Sequence, residues 1–243
     1  MKFKLIRSGY NTGEYNMKFD MKLVDEIEAT SDFAFFRIYY WKPFAISLGA
    51  HQKFEDIDLQ AAKKDNIDVV KRPTGGRAIL HAEELTYSVV ISPSFEMKPK
   101  EIYEKVSLAL VRGLRLFDEK LSDAKLEENQ PDFASVLQNQ SGMLCFASAA
   151  RNEVKFRGKK LIGSAQRKIG GKILQHGSIL IGSYHRNLPN FLNVSEKSKT
   201  ELKTELIDKT TEVETILNRK ILYSEFEEAI IAGWQEEWNA FFV

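Results

Sequence analysis

Cysteine is almost absent from this chain. Cys145 is the only one among 243 residues, so no internal disulfide can form, as suits a protein kept in a reducing compartment. Long apolar runs are missing too. No window reaches the roughly 18 apolar residues of a membrane-spanning helix. The opening Met1-Lys-Phe-Lys-Leu-Ile-Arg has no apolar signal-peptide core. A cytoplasmic protein without a membrane role is therefore expected. Charge of one sign is also lacking: 35 Lys and Arg against 34 Asp and Glu leave a net charge of +1. A nucleic-acid or membrane role would need a local patch instead of a global field. Internal repeats and low-complexity tracts are absent. What remains is a 43% hydrophobic content, enough for one full core with at most a small appendage.

The apolar pattern alternates between strands and helices. Residues 3–6 read as a short strand, and residues 16–29 as an amphipathic helix with Met17, Met21, Val24 and Ile27 on one face. Residues 33–41 are an aromatic-rich buried strand, broken by Pro43 before a second strand at 45–49. In that run Phe36, Tyr39, Tyr40 and Trp41 fit a core better than a ligand stack. Residues 54–66 look helical. Strands at 68–71 and 85–91 follow, and then the longest helix at 98–120, with Pro99 near its start. Its inner stripe is Ile102, Val106, Ala109, Leu110, Leu114 and Phe117. Between 118 and 141 a weak strand gives way to a long loop. Residues 153–181 are β-like, with turns at Arg157-Gly158 and Gly170-Gly171. Helices are expected at 188–192, 210–217 and 224–238, with capping boxes at Ser224/Glu227 and Thr211/Glu214. This is an α/β (α+β) pattern, with one domain over residues 1–182 and a helical extension over 183–243 packed on the same domain.

The most informative stretch is Arg72-Pro-Thr-Gly-Gly-Arg-Ala-Ile-Leu-His81 between two strands. Gly75 and Gly76 allow positive φ and close approach to a ligand. Arg72 and Arg77 carry planar forks suited to phosphate or carboxylate oxygens. An ordinary glycine turn with two solvated arginines has the same composition. A second block reads Gly158-Lys-Lys-Leu-Ile-Gly-Ser-Ala-Gln-Arg167, then Ile173-Leu-Gln-His-Gly-Ser-Ile-Leu180. Asn16, Met17 and Asp20 make a third.

These blocks, with Glu84-Leu-Thr-Tyr-Ser-Val89, resemble the lipoate ligase and octanoyltransferase superfamily. The resemblance implies the mixed-sheet biotin/lipoate protein ligase fold. It also implies an acyl or substrate site drawn from Arg72, Thr74, Gly75, Gly76, Arg77, His81, Thr86, Tyr87, Gly163, Ser164, Ala165, Gln166, His176 and Gly177. Some of the aromatics in residues 33–41 would line an acyl tunnel.

Taken alone, Cys145 in Ser141-Gly-Met-Leu-Cys-Phe-Ala-Ser148 has the residue type most often buried for structural reasons. It follows a polar, glycine-marked loop. By resemblance it matches the nucleophile of the octanoyltransferases that act on the glycine-cleavage H protein. Lys160 matches the family's single essential lysine; a neighbouring ammonium lowers a thiol pKa, and a partly buried lysine can itself take a proton. Lys155, Lys159, Lys168 and Lys172 surround it, and most of these must be solvated. A Cys145–His81 pair is the alternative route to an activated thiol. No metal site is expected, because His81 and His176 lack ligands at suitable spacing.

From 155 to 172 there are seven basic residues and no acidic one. A solvated hairpin face fits. So does a rim that speeds docking of acidic carriers, with Lys168 and Lys172 exposed at its turn. Two chemistries share the family scaffold. A transferase takes an octanoyl thioester from acyl carrier protein through a cysteine to a lipoyl domain or H protein, with no cofactor. A ligase uses ATP and magnesium and would hold phosphate on Arg72 and the glycine turn. Pro73-Thr74 and Arg77 in place of Ser-Gly-Gly-Gly, Glu84-Leu-Thr-Tyr, Cys145 and the short remainder after His176 favour the transferase. A non-catalytic carrier-docking module is the third reading.

Overall fold

The structure is a computed structural model and describes residues 1–127 and 152–243. Eleven strands and six α-helices are assigned among those residues. The chain opens with β1 (Lys2–Asn11), α1 (Gly13–Glu26), β2 (Phe33–Trp41) and β3 (Ala45–Leu48). It continues with α2 (Leu59–Lys64), β4 (Asp68–Lys71), β5 (Ile79–His81), β6 (Glu84–Ile91), α3 (Pro99–Phe117) and β7 (Ala124–Leu126). Then come β8 (Val154–Phe156), β9 (Lys159–Ile169), β10 (Lys172–Leu180), α4 (Glu196–Lys209), α5 (Val213–Leu217), α6 (Tyr223–Trp238) and β11 (Phe241–Phe242).

The large sheet runs β11-β1-β2-β6-β10-β9-β8-β7. β1 is parallel to both of its neighbours, and the other pairings are antiparallel. A second sheet, β4-β3-β5, is also mixed. The large sheet is covered on both faces, so β2 is apolar almost throughout instead of alternating. Phe36, Ile38 and Tyr40 join the cluster that contains α3 and α6. Phe35, on the opposite face, joins the cluster around Leu23, Val24 and Ile27 on and after α1. Met17, Tyr39, Trp41 and Ala45 fill the seam between α1 and the two sheets. This is the α/β architecture expected from the pattern, with the mixed sheet that the resemblance implies.

Residues 183–243 share that core. Trp234 on α6 stacks on Phe36 at 4.0 Å between centroids, and β11 pairs with β1. Several local expectations change. The segment 54–66 is a 3-10 turn (Phe54–Asp56) followed by α2, which Asp58 caps through Gln60 N and Ala61 N. Residues 188–191 fall within a 3-10 segment, Tyr184–Phe191, which Leu192 ends in extended conformation. The helix α4 has no counterpart in the sequence reading, because its inner face is only Leu202 and Leu206 with Ser198. Neither proposed capping box forms: α6 starts after Leu222 and α5 after Glu212, both without a side-chain cap. Glu227 instead accepts from the Tyr40 hydroxyl at 2.8 Å, and Glu214 pairs with Lys220 at 2.7 Å. Among the described residues no helix is long and apolar enough to cross a membrane.

Candidate active site

A narrow cleft opens in the seam between the two sheets. Eight of the expected site residues line it: Arg72, His81, Thr86, Gly163, Ser164, Ala165, His176 and Gly177. Met17 of the third motif block and Tyr39 and Trp41 of the aromatic strand line it too, as do Ser47, Ile79 and Ser178, which the sequence did not single out. Of the aromatics in β2, Tyr39 and Trp41 face the cleft, whereas Phe36 and Tyr40 belong to the core on the other face. Ser47 carried no sequence signal, as the one hydroxyl in the apolar strand β3, and Ser178 stood in the second motif block without being singled out.

One wall is a buried polar network centred on Asp20. Its Oδ1 accepts from Arg37 Nη1 and from the Ser88 hydroxyl, each at 2.7 Å. Its Oδ2 lies 3.2 Å from the Tyr39 hydroxyl and 3.2 Å from His176 Nδ1. Arg37 also donates to Asn16 Oδ1 at 2.6 Å and to the Ser8 hydroxyl at 2.8 Å. Burial alone would raise the Asp20 carboxyl. The His176 hydrogen bond and the Arg37 charge outweigh it and hold the group below its usual range. Burial pushes His176 the other way for a base, below its usual value, so the imidazole is neutral near pH 7. Its Nε2 lies 2.6 Å from the Thr74 hydroxyl.

The second wall is centred on Glu84. Its Oε1 accepts from His81 Nδ1 at 2.8 Å, Ser178 at 2.7 Å and Thr86 at 2.5 Å. Thr86 in turn accepts from Trp41 Nε1 at 2.7 Å. Burial opposes ionisation of Glu84, and the His81 charge and hydrogen bond more than offset it. His81 stacks on Trp41 at 4.1 Å and reaches Ser47 Oγ through Nε2 at 2.7 Å. A Cys145–His81 pair falls outside the described residues, as does Cys145 itself.

The glycine turn is built differently from expectation. Only Gly76 has positive φ, at 91°. A Cβ on Gly75 would meet nothing within 4 Å, whereas one on Gly49 would lie 1.9 Å from the Gly76 carbonyl oxygen. The close approach therefore belongs to Gly49. Arg72 is buried and spends its guanidinium inside the protein, on Gly75 O (2.9 Å), Arg77 O (2.7 Å), Ser47 O (2.9 Å) and Ser47 Oγ (3.1 Å). Arg77 is buried as well. Thr74, Gly75, Gly76 and Arg77 do not line the cleft; they shape the turn behind it.

The second block forms β9 and β10. Gly177 is needed where these strands pass Tyr87: a Cβ there would lie 2.4 Å from Gly163 O and 2.8 Å from the tyrosine ring. Tyr87 bonds Ser164 Oγ at 2.7 Å, and its phenol is pushed up to about 12 by burial. Gln166 donates to Pro99 O at 2.9 Å and to Gln175 Oε1 at 3.0 Å. Lys160 is not solvated. It is 2% exposed and pairs with the equally buried Glu153 at 2.9 Å. Glu153 also accepts from Ser164 N at 3.3 Å, which ties the pair to the cleft wall.

The basic run is largely compensated. Lys155 pairs with Glu127, and Arg157 with Asp123 at 2.8 Å. Lys159 donates to Ile207 O at 3.0 Å. Lys168 is exposed as expected, but Lys172 is half-buried and donates to Val24 O at 2.7 Å, tying the hairpin to α1. Among the described residues, no cluster of three or more His, Cys, Asp or Glu side chains is arranged to hold a metal.

Most polar groups of these walls are bonded to one another, which suits an apolar guest; Glu84 Oε2 is buried without a hydrogen-bond partner among the described residues. Residues 12–235 match the model of the lipoyl protein ligase A/B catalytic domain. The octanoyltransferase LipM of Geobacillus kaustophilus is 34% identical over 244 residues, covering 98% of this chain and 86% of the relative. That of Anoxybacillus flavithermus is 33% identical, with the same coverage of each chain. Among solved structures, a bipartite lipoate protein ligase from Thermoplasma acidophilum, described with its E2 lipoyl domain, superposes with a TM-score of 0.77 at 21% identity. The match covers 100% of this chain and 86% of that one.

Proposed function

This chain belongs to the lipoyl protein ligase A/B catalytic-domain family, and from that premise we propose how it works as an octanoyltransferase of lipoate biosynthesis. Octanoyl-acyl carrier protein binds with its hydrocarbon tail in the cleft between the sheets. The Cys145 thiolate attacks the thioester carbonyl, the carrier's thiolate leaves, and an octanoyl-Cys145 thioester remains. One thioester replaces another, so little driving force is needed. A lysine amine on a lipoyl domain or glycine-cleavage H protein then attacks the carbonyl. The amide forms, the amine gives up a proton, and Cys145 is released as thiolate. Lys160 favours that thiolate through its positive charge, and Glu153 holds Lys160 in position.

The observation that carries this reading is the cleft lined by Met17, Tyr39, Trp41 and Ile79, whose polar walls are for the most part bonded within themselves. The name shared by the bacterial relatives supports octanoyl transfer. The E2 lipoyl domain described with the archaeal ligase supports such a domain as acceptor. The ligase alternative calls on Arg72 to hold ATP phosphates, and that guanidinium is already bonded to three carbonyls and a hydroxyl. No cofactor enters the proposed steps. The test is a two-step reaction: load the protein with octanoate, remove the donor, and add apo lipoyl domain without ATP. Octanoyl amide on the acceptor is expected, and the Cys145→Ser protein should give none. Transfer that requires ATP and free acid would replace this reading with the ligase.

A further inference from the structure

Beside the cleft runs an open groove between one face of α1 and the turn after β4. It is lined by Met17, Lys18, Met21, Lys22 and Asp25 from the helix, and by Lys71, Arg72, Pro73 and Arg167 across from it. Met17, Met21 and Asp25 lie at i, i+4 and i+8, with Lys18 and Lys22 on the adjoining row, so the helix presents a contiguous strip. Met17 and Arg72 line both the groove and the cleft, so a molecule seated in the groove lies at the mouth of the acyl site.

We propose that this groove is the docking surface for the acyl donor, an acidic carrier protein; the inference rests on the transferase reading above. The charge of the lining is one-sided. Lys18, Lys22, Lys71 and Arg167 reach its surface against a single carboxylate, Asp25. Lys18 and Lys22 pair with Glu14 and Glu26 within the helix, but all four side chains are at least 47% exposed. Such exposed pairs contribute little, so a partner's carboxylates can take them over at small cost. Arg167 is fixed by its bond to Pro73 O at 2.7 Å, and Lys71 sits 5.5 Å over the Phe54 ring. The floor is Met17 and Met21, flexible side chains that adapt to a moving aliphatic arm. The basic hairpin is the weaker candidate, because Lys155, Arg157 and Lys160 are already paired with carboxylates and Lys172 is tied to α1.

The test compares two octanoyl donors in the loading step alone: octanoyl-acyl carrier protein and octanoyl-pantetheine, which has no protein surface to dock. For the double variant Lys18→Glu/Lys22→Glu, kcat/KM with the carrier should fall about tenfold or more and lose much of its salt dependence. Loading from octanoyl-pantetheine should stay at the wild-type rate. Lys203→Glu, on the exposed face of α4, should change neither. An equal loss with both donors would mean a damaged site, and no loss would mean an unused groove; either result overturns the proposal. A loss confined to transfer onto the lipoyl domain overturns it too, by assigning the groove to the acceptor. A wild-type protein that neither donor loads would instead bring down the transferase reading itself.

Discussion

His176 Nε2 and the Thr74 hydroxyl stand 2.6 Å apart, although 102 residues separate them in the chain. The same imidazole reaches Asp20 of α1 through Nδ1. The three separated sequence blocks therefore meet on one side chain. The neutral ring can accept at Nε2 while Nδ1–H donates to Asp20, and this fixes both the tautomer and the wall of the cleft.

The Asp20–Arg37 pair should be costly to break and less costly to remove. Both side chains are fully buried, so Asp20→Ala or Arg37→Met should each destabilise the fold by about 3–5 kcal/mol, because the remaining charge loses its partner. The double variant should lose clearly less than the sum. Urea unfolding of the four proteins measures the coupling, and strict additivity would mean the two charges do not act as a pair.

The glycines of the turn should separate cleanly. Gly49→Ala forces a Cβ onto the Gly76 carbonyl and should cost about 1–3 kcal/mol or more, as overpacking against backbone does. Gly75→Ala meets open space without positive φ and should leave the melting temperature within a degree or so, since a methyl that touches nothing changes stability little. Thermal melts of the two variants check this, and a reversed order would show the turn to be built otherwise.

His185 should make stability fall in mild acid. Burial holds its imidazole at about 4 against 6.5, with the Arg186 charge adding to the effect. Its ring bonds Thr210 Oγ1 at 3.0 Å. Because the folded value is the lower one, the unfolded chain takes up the proton first. The contribution is complete above about pH 6.5 and is lost as pH falls towards about 4, up to about 3 kcal/mol in all. His185→Gln should flatten that part of the stability–pH curve. An unchanged slope between those limits would remove His185 as its source.

Lys160 should control the reactivity of Cys145. Lys160→Ala is expected to slow thiol alkylation near pH 7 and to leave it nearly normal near pH 10, since rate follows thiolate fraction. Because Glu153 would be left buried without its partner, Lys160→Ala/Glu153→Gln is the fairer comparison, with Lys159→Ala as the register control. Equal rates across that pH range would sink the assignment.

The sequence made the architecture legible where periodicity was strong. The stripe of α3, from Ile102 to Leu114, is buried as its spacing requires. It hid α4, where two leucines among charged residues give no usable stripe. The site was legible mainly through its motif blocks. Arg37 offered an unused clue, as the lone charge in an aromatic strand, and the matching carboxylate was already known at Asp20. Composition pointed to Gly75, but Gly49 bears the close contact, because which backbone segments touch depends on how β3 packs against the turn. Lys172 looked like an exposed hairpin lysine until the approach of α1 gave it Val24 O.

The central claim is that Cys145 carries the acyl group, and the intact mass of the protein tests it directly. Mixed with octanoyl-acyl carrier protein and no ATP, the protein should gain the mass of one octanoyl group, removable by hydroxylamine and absent from Cys145→Ser. No adduct under those conditions, together with ATP-dependent transfer of free octanoate or lipoate, would contradict the account and make the protein a ligase.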